Sequence, residues 1–164
     1  MARILLALGS NLGDAERHVR DGWRAAVGAL ALRKPILSQL FYSDPAEGVR
    51  GGRFVNAVGV GETDLQPHAV LTVLLAVERS LGRDRLREGQ DRARALDLDL
   101  LDWQGVRLDE ADLQLPHPRM AQRDFVLLPL AEVAPDFVDA RSGQTIDALV
   151  AGLTRRWTIA PCAL

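Results

Sequence analysis

Apolar and polar positions along this chain switch between two periods, and the switches divide it into elements. Arg3 to Leu8 is a nearly unbroken apolar run of the length of one buried strand. Gly9-Ser10-Asn11-Leu12-Gly13-Asp14 reads as a turn, with Ser10, Asn11 and Asp14 each able to cap a helix. Val19, Trp23, Val27 and Leu30 then recur at helical spacing. Pro35 opens an extended segment through Tyr42, and Asp44-Pro45 with Gly48 to Gly52 reads as a loop. Phe54 to Val60 is a third strand. Pro67 suits the first turn of a second helix, with Val70, Leu74, Val77 and Leu81 on one face and Gly82 at its end.

Leu96 to Trp103 alternates as a strand, and Gln104-Gly105 turns the chain into Val106-Arg107-Leu108. Pro116-His117-Pro118 breaks it again. Phe125 to Val133 is a short apolar helix ended before Pro135, and a weaker helix near Ile146 to Leu153 lies in the tail. The order strand, helix, strand, strand, helix, strand predicts an α+β fold. It is a split β-α-β sandwich, an antiparallel sheet with helices packed on it, in one domain over residues 1–164.

Composition narrows the function classes. Apolar residues make up 48% and charged residues 26%, as in a globular protein. No apolar run approaches the roughly 20 residues that cross a bilayer. The first apolar run is too short for a secretory signal, and the single cysteine, Cys162, cannot form an internal disulfide. These features predict a cytoplasmic protein. A net charge of −2 gives no general attraction to nucleic acid or membrane, so small molecules are the expected partners of a monomer.

The local charge pattern is more specific. Lys34 is the only lysine, while Arg79, Arg83, Arg85, Arg87, Arg92 and Arg94 crowd one stretch. The guanidinium fork suits phosphate oxygens, although a solvated helix end would look the same. Directly after it, Asp97 and Asp99 alternate with Leu96, Leu98 and Leu100, which places both carboxylates on one strand face. Side by side they repel each other, unless a cation such as Mg²⁺ sits between them. Alone, an Asp-x-Asp also fits the solvated face of an edge strand. His117, Arg119 and Arg123 follow nearby. An acidic pair, an arginine loop and a His/Arg turn together suit a polyphosphate with metal. The Gly-x-x-x-x-Gly-Lys-Ser/Thr loop, zinc-spaced Cys/His sets and a nucleophile elbow are all absent. His18 and His68 read as exposed helix residues.

Phe54, Asn56 and Val58 share one face of the third strand. An aromatic ring offers stacking, and Asn56 offers both donor and acceptor to a heterocycle edge. Phe54 and Phe125 read equally as core residues.

The ordered blocks Gly9 to Asp14, Phe54-Val55-Asn56-Ala57-Val58, Leu96-Asp97-Leu98-Asp99-Leu100, Pro116-His117-Pro118-Arg119-Met120 and Phe125 to Glu132 closely resemble the 6-hydroxymethyl-7,8-dihydropterin pyrophosphokinase family. The similarity spans about Ile4 to Pro135. It implies a ferredoxin-like fold, with ATP as co-substrate and two Mg²⁺ ions held by Asp97 and Asp99. It implies pyrophosphate transfer to the pterin in folate biosynthesis, with AMP released. Glu78, Arg83, Arg85, Arg94, His117 and Arg123 match positions toward ATP, with Arg83 and Arg94 also catalytic. Asp44, Pro45, Phe54, Asn56 and Phe125 match positions toward the pterin. Gly9 and the Ser10-Asn11 turn match a mobile loop.

The chain departs from the family pattern twice. It reads Asp91-Arg92-Ala93-Arg94 where Trp-Gly-Pro-Arg is usual, and Asp44 and Glu47 replace Thr and an apolar residue. Two other readings follow from the same residues: a paralogue that binds nucleotide or pterin without turnover, and a split β-α-β module binding RNA through its arginines. The second lacks paired aromatics on adjacent strands.

Overall fold

The computed structural model describes residues 1–45, 52–81 and 95–163. Strand β1 is Ala2–Ser10, helix α1 Ala15–Ala29, β2 Arg33–Leu37, β3 Phe41–Ser43, β4 Phe54–Thr63 and α2 Pro67–Ser80. Then follow β5 Asp97–Trp103, the short hairpin β6 Leu108–Asp109 and β7 Gln114–Leu115, α3 Asp124–Val133, α4 Ile146–Ala151 and β8 Thr158–Pro161. The main sheet runs β5-β1-β4-β3-β8, and β2 also pairs with β4. Every pairing in it is antiparallel. The crossover β1-α1-β3 straddles β4, and β4-α2-β5 straddles β1. These are two interleaved split β-α-β units, the ferredoxin-like order expected.

The alternation within the strands sorts two cores. Ile4, Leu6 and Leu8 of β1, Val55 and Ala57 of β4, and Leu98 and Leu100 of β5 pack with Val19, Trp23, Val70 and Leu74 of α1 and α2. Leu5, Val58, Val60 and Leu101 face the other way, onto Val126, Leu127 and Leu130 of α3 and Ile146 and Leu149 of α4. Close approach is built in where α1 crosses β4. A Cβ on Gly59 would lie 2.2 Å from the Trp23 ring, so only glycine fits beneath the indole.

Three boundaries differ from the sequence reading. Gly9 and Ser10 belong to β1 rather than to a turn, because Gly9 pairs with both Asn56 and Asp97 and Ser10 with Val55. Of the three candidate caps, Asp14 is the one that caps α1, its side chain accepting the Arg17 N–H at 3.2 Å. The expected Pro35–Tyr42 segment is two strands, since Ser38 turns its hydroxyl onto the sheet and accepts the Val58 N–H at 3.0 Å. The helix expected near Ile146 to Leu153 is α4, and beyond it the tail adds a strand that was not expected, β8, which joins β3 at the sheet edge. Gly82 lies outside the described residues.

Candidate active site

The register assembles the site. Gly9 of β1 stands opposite Asn56 on one side and Asp97 on the other, while Ala7 stands opposite Val58 and Asp99. Neighbouring strands lie about 4.8 Å apart, so the Asn56 and Asp97 backbones are roughly 10 Å apart across one row. The residues between them are the smallest available. Helices α3 and α4 cover the rest of this sheet face, and the row is left as the floor of a cavity of about 280 Å³.

Seven residues named from the sequence line that cavity: Asp44, Phe54, Asn56, Asp97, Asp99, Arg123 and Phe125. Ala7, Gly9 and Trp157 line it too. One end is aromatic, with the Arg123 guanidinium 5.6 Å from the centre of the Phe125 ring. The other end carries the two carboxylates, half-buried on β5 between fully buried leucines.

Asn56 is buried, and its amide donates to Ser43 Oγ at 2.8 Å and to the Phe41 carbonyl at 3.4 Å. With both donors held by β3, the side chain is locked in one orientation at the cavity wall. His117 does not line the cavity, but its N–H is anchored to the Leu101 carbonyl of β5 at 2.8 Å and its Nδ1 accepts the Arg119 N–H. Burial, then the charges of Arg123 and Arg119, push its pKa down to about 4, against an opposing pull from Asp97. At neutral pH His117 is therefore an uncharged imidazole.

Glu78 does not line the cavity. Its side chain is 1% exposed, and Oε1 accepts the Leu98 N–H at 2.8 Å. Leu98 lies between Asp97 and Asp99, and β5 is the outermost strand on that side of the sheet. The carboxylate thus caps an edge N–H that has no strand partner among the described residues, and it fixes the segment that carries both aspartates. Pro45 adjoins Asp44 without lining the cavity. Arg83, Arg85 and Arg94, with the Asp91-Arg92-Ala93 departure and Glu47, lie outside the described residues.

The sequence reading missed Ala7 and Trp157. Ala7 was legible as a small residue in a strand otherwise filled by leucine. Trp157 stands alone in a polar tail, with no periodicity to assign it. His68 pairs with Glu110 at 2.8 Å and with Asp112 at 3.5 Å, an exposed cluster that ties the β6–β7 hairpin to the start of α2.

Comparison with known proteins decides the family. The profile of the 7,8-dihydro-6-hydroxymethylpterin-pyrophosphokinase (HPPK) family matches residues 5–135. The chain belongs to that family. It is 38% identical to the 2-amino-4-hydroxy-6-hydroxymethyldihydropteridine pyrophosphokinase of Synechocystis over 96% of this chain and 80% of the relative. It is 40% identical to the enzyme of the same name from Pseudomonas aeruginosa, over 82% of each chain. A Plasmodium falciparum HPPK-DHPS crystal structure superposes with a TM-score of 0.69 at 14% identity, covering 92% of this chain and 45% of that one. At that identity the likeness concerns the fold. The chain spans under half the length of such two-part proteins. Among the described residues no helix is long and apolar enough to cross a membrane.

Proposed function

We propose that this HPPK-family protein transfers the pyrophosphate of ATP to 6-hydroxymethyl-7,8-dihydropterin, giving the pterin diphosphate and AMP. The observation that carries this reading is the row Asn56–Gly9–Asp97. It joins the Asn56 amide to a paired-carboxylate end within one cavity, in a chain that belongs to the HPPK family.

The donor set fits a hard divalent cation, since Asp97 and Asp99 are two oxygen ligands on one strand face, open to the cavity. These two residues would hold Mg²⁺, two ions being expected, and the metal supplies charge neutralisation to the polyphosphate when bound. The remaining work falls to the chain. Phe54 and Phe125 offer the ring its apolar contacts, with Asn56 reading its polar edge and Asp44 at the rim. Held there, the substrate hydroxyl attacks the β-phosphorus in line and AMP leaves. Positioning two reactants in one cavity supplies much of the acceleration such a step needs.

Arg123, over the Phe125 ring, and neutral His117, which feels the charges of both Arg123 and Asp97, are proposed to meet a nucleotide's phosphates. Arg83, Arg85 and Arg94 are assigned to ATP on sequence grounds, with Glu78 acting through the strand it pins. The protein is proposed to work as a cytoplasmic monomer on small molecules, without nucleic acid.

A coupled assay of AMP release tests the reading. ATP and authentic hydroxymethyl-dihydropterin should give AMP and pterin diphosphate in Mg²⁺, and no product after chelation. Tight binding of both ligands without AMP would establish a non-catalytic binder instead.

A further inference from the structure

The family match ends at residue 135, but the cavity wall continues beyond it. Trp157 lines the cavity from the tail. Its indole stands edge-on to Phe125, with ring centres 5.8 Å apart and planes at 78°. Such a T-shaped pair is a favoured aromatic contact and leaves a rigid corner. The Arg155 guanidinium covers the indole at 4.6 Å from the ring centre, which fixes it from another side.

Backbone ties hold this corner to the rest of the site. Oδ2 of Asp124 accepts the Trp157 N–H at 3.0 Å and the Thr158 N–H at 2.9 Å. Asp124 is fully buried and immediately precedes Phe125 in α3. One carboxylate therefore sets the position of both aromatic rings. In the other direction, the Trp157 carbonyl accepts the Asp44 N–H at 2.9 Å, and Thr158 pairs with Ser43. Ser43 is also the residue that holds the Asn56 amide. The tail thus reaches Asp44, Asn56 and Phe125, the residues read as the ring end.

The arrangement is costly if it serves folding alone. The indole Nε1 is buried and has no hydrogen-bond partner among the described residues, and the same holds for Asp124 Oδ1. Buried polar atoms without partners carry a free-energy penalty, and they concentrate where function overrides stability.

We propose that Trp157 is a ring-binding residue of the pterin end, and that Asp124 is the positioning residue that sets it against Phe125. This rests on the pyrophosphokinase reading and extends it to the tail, which supplies a wall of the substrate site. The occupant is a flat, polar-edged heterocycle. The indole would add apolar contact on the side that Phe54 and Asn56 leave open.

Trp157→Ala and Trp157→Phe in the full chain test this, with steady-state kinetics for each substrate and urea unfolding. Trp157→Ala should raise the pterin KM tenfold or more, leave the ATP KM within twofold, and change kcat little. Trp157→Phe keeps an aromatic edge and should recover most of the pterin KM while remaining folded. Should Trp157→Ala unfold, calorimetry of pterin binding to Trp157→Phe and Trp157→Leu replaces it, and Leu must bind pterin more weakly than Phe. An unchanged pterin KM, or parallel losses for both substrates, would overturn the proposal and make Trp157 a tail anchor. If the parent protein releases no AMP, the functional reading itself is wrong. The two failures are therefore told apart by the parent's own turnover.

Discussion

Replacing Glu78 separates a nucleotide contact from a strand pin. Its carboxylate is 1% exposed and accepts the Leu98 N–H at 2.8 Å, at the free edge of β5. Glu78→Ala leaves that donor without its acceptor beneath α2, which costs about 1–3 kcal/mol. Loss of the side chain's buried methylenes adds roughly 1 kcal/mol. The sum is about 2–4 kcal/mol, or roughly 4–16 °C in Tm for a chain of this size. Glu78→Gln keeps an acceptor oxygen at the same reach but gives up the charge, so about 1 kcal/mol is expected.

Ligand-free protein is the right sample, because a pin acts before any substrate arrives. Urea unfolding with constant m gives the stability change directly. The activity assay should then show a raised Mg²⁺ requirement in Glu78→Ala, since Asp97 and Asp99 flank the released N–H, with Glu78→Gln intermediate. A direct contact with ATP would do the opposite, raising the ATP KM at unchanged stability. Parental stability in Glu78→Ala would refute the pin.

Three further outcomes are expected. Asp97→Asn and Asp99→Asn should each lower turnover at least 100-fold, as befits loss of several kcal/mol of charge stabilisation, with the fold intact by circular dichroism; near-parental rates at saturating Mg²⁺ would remove the metal assignment. Asn56→Ala should cost about 1–2 kcal/mol of stability through the lost bond to Ser43 and raise the pterin KM well above any change for ATP; equal changes for both substrates would leave it a purely structural residue. His117 has its pKa lowered to about 4 in the folded metal-free protein, from 6.5 when unfolded, so the unfolded chain binds the extra proton between those values and stability falls as pH drops from 6.5 to 4. Because the ring is partly exposed, about 2 kcal/mol is the upper end, and His117→Gln should flatten that part of the urea-midpoint profile; a profile identical to the parent's would count against it.

The residues that could be read from the sequence are those whose environment repeats. Leu98 and Leu100 alternate with Asp97 and Asp99 because one face of β5 meets α1 and α2 while the other meets the cavity. That period survives in any sequence that folds this way. Val70, Leu74 and Val77 gave α2 for the same reason. Glu78 falls four residues after Leu74, on the buried stripe, but that spacing carries no sign of its bond to the Leu98 N–H, and only the resemblance pointed it toward ATP. β8 offered no period at all: its residues are mostly exposed, it ends at Pro161, and it is placed by Asp124 and β3, both far away in sequence. Gly9 was read as a turn because glycine usually marks one. It lies instead inside β1, paired with Asn56 on one side and Asp97 on the other.

That row explains why this topology suits a reaction between two unlike substrates. In the interleaved β-α-β order, β1 and β4 are central and β5 lies beside β1, so residues far apart in sequence become lateral neighbours. Asn56 comes from β4 and Asp97 from β5, each rigidly paired to the same Gly9. Their separation is set by two strand spacings rather than by loop conformation, and sites built on strands hold such distances better than sites built on loops. A Cβ on Gly9 would sit 3.6 Å from Asn56 Oδ1, an ordinary contact, so the floor tolerates a methyl there. Asn56 and the Asp97–Asp99 pair are thus held apart by the sheet itself, across a floor that includes Ala7 and Gly9. In the proposed reaction, the hydroxyl of one substrate would meet the phosphate of the other above that floor.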